Sequence, residues 1–93
     1  MRRELLRTGA FIRAAKRIVK KGSTKAADLQ TALELLEADA FDSRLQTHKL
    51  SGTMAGTWAC SAGYDLRIVF SFVKRGKSEA VLLESVGSHD EVY

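Results

Sequence analysis

The last eight residues of the chain, Val86 to Tyr93, contain the side chains best suited to proton transfer. His89 and Tyr93 lie four positions apart, after an apolar run, and His89 is one of only two histidines in the sequence. A histidine has the side chain whose unperturbed pKa lies closest to neutrality, so it can give or take a proton at working pH. A tyrosine can donate a hydrogen bond or stack on a nucleobase. This segment is therefore a candidate edge of a catalytic or nucleic-acid-binding site.

Three other polar residues complete such a site if the fold brings them together. His48 precedes the predicted sheet, and Asp65 and Arg67 are two positions apart, so an extended strand would point both to one face. With His89 and Tyr93, this set supplies two imidazoles, a carboxylate, a guanidinium and a phenol. Such an inventory suits metal-free RNA cleavage, in which a base activates the ribose 2′-hydroxyl, an acid protonates the departing 5′ oxygen and a cation binds the phosphate.

Each of these residues also has an ordinary structural interpretation. Asp65 and Arg67 could form an ion pair on an exposed sheet face, His48 could be a loop histidine, and Tyr93 could close the core. Cys60 lies in a predicted strand without an adjacent base, which favours a small core residue over a nucleophile. The sequence has no glycine-rich phosphate loop and no paired-cysteine motif, so we expect no metal and no other cofactor.

Length and composition predict a single domain over residues 1–93 with one modest core. One cysteine excludes an internal disulfide and is typical of a reducing cytoplasm. The sequence contains neither an apolar stretch long enough for a membrane span nor a signal peptide, so we expect a cytoplasmic protein without a membrane partner. The formal net charge of +4 favours an acidic partner such as nucleic acid or an acidic protein.

Hydrophobic periodicity predicts two helices in the first half of the chain. A short strand over Arg3–Arg7 is followed by Thr8, a plausible N-cap for a helix that reaches about Lys20. Ser23 or Thr24 can cap a second helix, so the two helices form an antiparallel hairpin.

The second half of the chain is predicted to form β-strands. Candidate strands cover residues 57–61, 66–73 and 79–86, and the last two are apolar on both faces, which is typical of central strands. We therefore predict an α+β fold in which the N-terminal strand and the helical hairpin pack on an antiparallel sheet of three to four strands.

Four segments resemble the RelE/ParE superfamily of bacterial toxins, and most of all its RelE and YafQ branch of ribosome-dependent mRNA interferases. These segments are His48–Gly52, Gly56–Trp58, Gly63–Phe70 and Val86–Tyr93. The resemblance covers the second half of the chain closely, whereas the first half agrees in layout alone.

The resemblance implies a role for each candidate site residue. Arg67 corresponds to the arginine that contacts the scissile phosphate, and His48 to a YafQ-type histidine. Asp65 falls near the acidic site residue of that branch, His89 corresponds to the catalytic histidine after the last strand, and Tyr93 to the C-terminal aromatic residue. The basic residues expected to contact RNA are Lys49, Arg67 and Lys74.

The chain departs from the family pattern at three positions of one strand. Trp58 and Cys60 replace a lysine pair of RelE-type enzymes, and Ser61 corresponds to a further YafQ-type histidine. His48 and His89 would therefore carry more of the acid–base chemistry, and the sequence leaves open which of them is the base.

The function implied by the resemblance is that of a type II toxin, an endoribonuclease that cleaves mRNA in the ribosomal A site. Its expected partners are a cognate antitoxin, mRNA on the ribosome, and rRNA. Two alternatives remain at this point. One is a ParE-type toxin that inhibits DNA gyrase by binding without nuclease activity, and the other is an RNA-binding module or a decayed toxin.

Overall fold

The computed structural model describes residues 2–88 and residue 92 of the chain. In chain order the elements are β1 (Leu5–Arg7), α1 (Gly9–Lys21), α2 (Ser23–Ala38), a 3₁₀ turn (Ser43–Leu45), β2 (His48–Lys49), a second 3₁₀ turn (Gly52–Met54), β3 (Trp58–Ala62), β4 (Leu66–Arg75) and β5 (Ser78–Ser88). The two helices, α1 and α2, pack on one face of a five-stranded sheet whose strands lie in the order β1-β5-β4-β3-β2.

The predicted α+β fold is confirmed, and the sheet differs from the prediction in two details. It has a fifth strand, β2, because His48 and Lys49 pair with Ala59 and Trp58 of β3. It is also mixed, since β1 runs parallel to β5 while the other neighbours are antiparallel. Strands of two or three residues are too short to show a hydrophobic period, so the sequence carries little signal for either detail.

Thr8 starts α1 as predicted. Its hydroxyl oxygen accepts a hydrogen bond from the Phe11 N–H at 3.1 Å and donates one to the carbonyl of Glu84 in β5, also at 3.1 Å. The expected cap of α2 is wrong, because Gly22 is its N-cap and Ser23 already lies within the helix. A single residue therefore separates the two helices, which keeps the hairpin tight.

The core lies between the helices and the sheet. Leu29, Ala32 and Leu36 of α2 recur at helical spacing and are buried, and they face strand residues that include Ile68 and Phe70 of β4. Burying each of the larger side chains contributes roughly 1.5–3 kcal/mol relative to leaving it exposed. No helix in the described part of the chain has the length and apolar character needed to cross a membrane.

β4 and β5 form the long central pair of the sheet, as the apolar pattern predicted. Their register shifts once, because Phe70 pairs with Leu83 while Val69 pairs with Ser85, which leaves Glu84 as a β-bulge residue. Leu83 and Val86 consequently both point to the helices although they are three positions apart. Thr8 bonds the bulge directly, so the start of α1 and the register of β5 are connected.

Thr8→Ala should lower the free energy of unfolding by about 1–2 kcal/mol, because it removes both the cap of α1 and the donor to the bulge carbonyl. Urea denaturation followed by circular dichroism measures this change. Thr8→Ser keeps the hydroxyl and should stay near the wild type. Equal denaturation midpoints for the alanine and serine variants would show that the hydroxyl does not stabilise this junction.

Candidate functional site

The two faces of the sheet have different surroundings, and the candidate site lies on the one turned away from the helices. Leu66, Ile68 and Phe70 of β4 belong to the helix-covered core. Because side chains alternate along a strand, Arg67 and Val69 point to the opposite face, which we call the far face.

Strand pairing places His48 and Ser61 on the far face with Arg67. Ser61 is directly opposite Arg67, and His48 is opposite Ala59, which in turn pairs with Val69. Residues directly opposite each other in adjacent strands share a face. Two strand spacings and a step of two residues separate His48 from Arg67, so their Cα atoms are about 12 Å apart. That separation leaves room for a substrate group between the imidazole and the guanidinium.

The ring of His48 is held in one tautomer. Its Nδ1 lies 3.0 Å from the backbone oxygen of Gln46. A carbonyl oxygen can only accept, so Nδ1 carries the hydrogen and the lone pair of the neutral ring is on Nε2. His48 is exposed, and this nitrogen is therefore suited to take a proton from a bound substrate.

Arg67 is half-buried, and its guanidinium turns toward the β3–β4 turn. Its Nη1 donates to the carbonyl of Leu66 at 2.9 Å and to that of Tyr64 at 3.4 Å. Among the described residues no carboxylate forms an ion pair with Arg67. Its positive charge is thus available to an anion on the far face.

The expectation that Asp65 and Arg67 share a strand face is wrong. Asp65 precedes the first residue of β4 and lies in the turn, so strand alternation does not apply to it. Its carboxylate instead forms a 2.9 Å ion pair with Lys25 near the start of α2, and both side chains are half exposed. Asp65 therefore connects the turn to the helices rather than to Arg67.

The same turn is held by a close approach at Gly63. Gly63 has φ +67°, a left-handed conformation that glycine adopts without steric cost. A Cβ built on it would overlap the carboxyl group of Asp28 in α2. The absence of a side chain at residue 63 thus lets the turn rest on α2 at a point two residues from Ser61.

Two of the residues expected to bind RNA lie away from His48 and Arg67. Lys49 follows His48 and points to the helix side, where its Nζ is 5.4 Å from the centroid of the Trp58 ring. Lys74 is seven residues along β4 from Arg67, a separation of about 23 Å. The fold therefore brings together His48, Ser61 and Arg67 but neither lysine.

Trp58 and Cys60 belong to the helix side of β3. Trp58 packs edge-on against Phe41 and Phe72, with ring centroids 5.4 Å apart in each case. Cys60 is fully buried, and burial raises the pKa of its thiol to about 12 although the charge of Arg67 opposes the shift. Cys60 is therefore a core residue, as the sequence predicted, and Trp58 packs against the core on the helix side, away from the far face.

His89 and Tyr93 lie outside the described residues, so the structure describes the site up to Ser88, the last residue of β5. In the described part of the chain no three histidine, cysteine, aspartate or glutamate side chains are grouped as metal ligands.

Sequence reasoning missed two residues beside the site. Gln46 has φ 52°, an uncommon conformation for a residue with a side chain, and its side-chain oxygen accepts from the Ser61 hydroxyl at 3.3 Å. Tyr64 lies in the β3–β4 turn with its side chain exposed (96%), and its backbone carbonyl accepts a hydrogen bond from Arg67. Glycine is common in turns, so Gly63 is a local signal for this turn, whereas nothing in the sequence indicates the backbone conformation of Gln46.

Comparison with known proteins gives a consistent result. A family model described as "Bacterial toxin of type II toxin-antitoxin system, YafQ" matches residues 3–93. Among solved structures, YafQ from E. coli strain BL21(DE3) superposes with a TM-score of 0.79 at 15% sequence identity, covering 98% of each chain. No curated protein sequence matches.

Two further solved structures share the fold. A YoeB/ParE toxin from Agrobacterium tumefaciens superposes with a TM-score of 0.77 at 15% identity, covering 92% of this chain and 98% of its own. The E. coli DinJ–YafQ toxin–antitoxin complex contains a chain that superposes with a TM-score of 0.75 at 16% identity, covering 100% and 99%.

Gly63→Ala should lower the free energy of unfolding by about 2 kcal/mol or more, because a left-handed backbone strains alanine and the new methyl overlaps Asp28. Gly76→Ala is the matched control. Gly76 has φ +64° but nothing within 4 Å of its built Cβ, so it should show the backbone cost alone. Urea denaturation compares the two variants, and equal losses would mean that the contact with Asp28 does not constrain the turn.

The Cys60 thiol should resist alkylation by iodoacetamide at pH 8 in the folded protein and react once urea unfolds the chain.

Because the pKa of the Cys60 thiol is about 12 in the folded protein, above its value in the unfolded chain, the neutral thiol favours folding below about pH 9, and this contribution to stability is lost as pH rises toward 12. The stability advantage of the wild type over Cys60→Ala should therefore shrink across this range. A difference that stays constant with pH would contradict the burial of the thiol.

Proposed function

Because the chain belongs to the YafQ family, bacterial toxins of type II toxin-antitoxin systems, we propose that it is a ribosome-dependent endoribonuclease, an mRNA interferase that cleaves mRNA in the ribosomal A site and so inhibits translation. The observation that carries the proposal is the placement of His48 and Arg67 on one sheet face, with Cα atoms about 12 Å apart and Nδ1 of His48 bonded to the backbone oxygen of Gln46.

In the proposed mechanism His48 is the general base. Its Nε2 takes the proton of a ribose 2′-hydroxyl, and the 2′ oxygen attacks the adjacent phosphorus. The bond from phosphorus to the 5′ oxygen of the next nucleotide breaks, and an acid protonates that oxygen. The products are a 2′,3′-cyclic phosphate and a 5′-hydroxyl. The Nδ1 hydrogen bond to Gln46 supports this assignment, because it orients the ring and fixes its tautomer.

Arg67 supplies the positive charge in this mechanism. The phosphorane formed by attack carries one more negative charge than the starting diester, and a guanidinium with donors in a fixed fork stabilises it. Two carbonyls hold Arg67 through one nitrogen, Nη1, which leaves the donors on Nε and Nη2 for phosphate oxygens. The absence of a carboxylate partner among the described residues keeps this charge uncompensated.

The remaining site residues receive roles within the same proposal. The resemblance implies that His89 is the catalytic histidine after the last strand, and we assign it as the acid because His48 is assigned as the base. We assign Tyr93, the C-terminal aromatic residue, as a ring that holds a nucleobase. Asp65 is assigned as a positioning residue, since its ion pair with Lys25 connects α2 to the turn whose Tyr64 carbonyl accepts a hydrogen bond from Arg67. Lys49 and Lys74 lie away from the scissile phosphate, so we assign them to rRNA contacts.

We further propose a cognate antitoxin as the protein partner. The E. coli DinJ–YafQ and Staphylococcus aureus YoeB–YefM complexes are assemblies of toxins with this fold. The outer side of α1 offers a surface for such a partner, an apolar groove of about 350 Å³ that includes Ile12 and Val19, with Lys16 and Lys20 on its edges. An amphipathic helix with acidic flanks would complement it. The proposed site of action is the cytoplasm, where translating ribosomes lie.

The proposal is tested by mapping mRNA ends on translating ribosomes supplied with purified protein. His48→Gln and Arg67→Gln should each reduce the cleavage rate by roughly 10²–10⁴-fold, because each removes a group that acts in the transition state. Arg67→Lys keeps the positive charge but lacks the planar set of guanidinium donors, so its cleavage rate should lie between those of the wild type and Arg67→Gln. Arg75→Gln, at the other end of β4 in an exposed ion pair with Glu4, is the matched control and should cleave normally.

Two outcomes would reject parts of this proposal. Intact mRNA together with arrested DNA supercoiling would replace the nuclease with a ParE-type toxin that inhibits gyrase by binding. Unreduced cleavage by His48→Gln, with loss in Arg67→Gln, would remove His48 from the role of base while leaving the nuclease activity in place.

A further inference from the structure

A small cavity with a basic rim opens at the end of the sheet, on the helix side. Its volume is about 140 Å³, and it lies between the second half of α1, the start of α2 and the corner where β4 begins and β5 ends. Ile18, Leu66 and Val86 form its apolar wall, and the rim carries the cations Arg17, Lys21 and Lys25. We call it the basic cavity.

The rim has an excess of positive charge. Helix α1 contains five basic residues and no acidic one. Asp65 pairs with Lys25, and it is the only carboxylate in the described ion pairs that contacts a rim cation. Arg17 and Lys21 have no carboxylate partner among the described residues, so two positive charges at the cavity mouth lack compensation. Cations in the last turn of a helix interact favourably with the partial negative charge of its C-terminal carbonyls, which explains Lys21. This effect does not explain why Arg17, one turn earlier, also faces the cavity.

The basic cavity is adjacent to the candidate site. Leu66 and Gly87 line it, and Arg67 both follows Leu66 in sequence and pairs with Gly87 across the strands. Arg67 and the basic cavity therefore meet the same corner of the sheet from opposite faces. An RNA strand with one phosphate at Arg67 would have to continue round this corner for another of its phosphates to reach the cavity mouth.

We propose that the basic cavity binds a backbone phosphate of RNA through Arg17, Lys21 and Lys25. The inference rests on the proposed function, because Arg67 as the scissile-phosphate contact sets the path of the strand. The phosphate belongs either to the mRNA being cleaved or to rRNA nearby, and the chemistry of recognition is the same in both cases. The cavity thereby gives the enzyme a second anchor for the strand, apart from the groups that transfer protons.

The test compares two double variants of the same helix. Arg17→Gln/Lys21→Gln removes two cavity cations, and the matched control Lys16→Gln/Lys20→Gln removes two charges from the edges of the apolar groove on the other side of α1. All four positions are exposed and glutamine forms helices well, so both proteins should fold with similar urea midpoints. The probe is a short single-stranded RNA with 2′-O-methyl groups, which binds without being cleaved.

The cavity variant should bind this RNA about tenfold more weakly, and the slope of log affinity against log salt should fall by about 0.7 for a lost phosphate contact. The control should keep the wild-type slope. Titration of inorganic phosphate into ¹⁵N-labelled wild type should shift the amide signals of Lys21, Lys25 and Gly87 more than that of Lys16. If both double variants lose the same RNA affinity, or if phosphate shifts no amide signal selectively, the proposal is overturned. The loss of affinity would then reflect the overall positive charge of the protein and not a site at the cavity.

Ribosomes distinguish the source of the phosphate. If the cavity variant loses affinity only when mRNA occupies the A site, the phosphate belongs to mRNA, whereas equal loss on ribosomes with a vacant A site assigns it to rRNA. The binding of the oligonucleotide and of phosphate can be measured without any cleavage. If mRNA on ribosomes stays intact while phosphate still shifts the amide signals at the cavity selectively, the proposed nuclease activity is rejected and the phosphate site at the cavity is retained. Confirmed cleavage with indistinguishable double variants would reject the cavity alone.

Discussion

The backbone pairing of β4 with β5 fixes the positions on which the rest of the structure depends. It joins ten residue pairs from Leu66–Ser88 to Arg75–Ser78 and contains one register shift at the Glu84 bulge. Between the bulge and the β4–β5 turn, the pairing directs Phe70 and Leu83 toward the helices. Between the bulge and the end of β5, it sets Gly87 opposite Arg67. A slip of one residue would exchange the two faces, exposing the core and burying the guanidinium. Core packing and site geometry are thus consequences of one hydrogen-bonded register.

The candidate site combines a rigid sheet with side chains held from outside it. The guanidinium of Arg67 donates to the carbonyls of Tyr64 in the β3–β4 turn and of Leu66. That turn lies against Asp28 at Gly63, and Asp65 of the turn pairs with Lys25. His48 likewise sits on a two-residue edge strand and is oriented by the carbonyl of Gln46. Helix α2 therefore influences a face of the sheet that it does not touch. Exposed ion pairs contribute little energy, so the Lys25–Asp65 pair is a weak constraint on the turn.

Much of the fold was predictable because it rests on long periodic segments. The two helices, the cap at Thr8, and the central strands β4 and β5 follow from apolar spacing and one hydroxyl. The two-residue strand β2, the parallel pairing of β1 and the bulge at Glu84 are set by tertiary contacts that leave no local pattern. For the site, alternation places Arg67 on the face turned away from the helices, but it fails for Asp65, which lies one residue before the strand. The orienting role of Gln46 depends on a backbone conformation that its residue type does not indicate.

The parallel pairing of β1 with β5 has a consequence for how the protein is made. Leu5, Leu6 and Arg7 pair with Val81, Leu82 and Leu83, so β1 has its partner more than seventy residues later in the chain, in a strand translated after both helices and β4. Contacts between such distant parts of a chain slow folding, since a long loop must close before they form. Arg67 also faces Gly87 only after β5 is complete. A nascent chain therefore cannot assemble the far-face site until β5 has been translated and paired with β4.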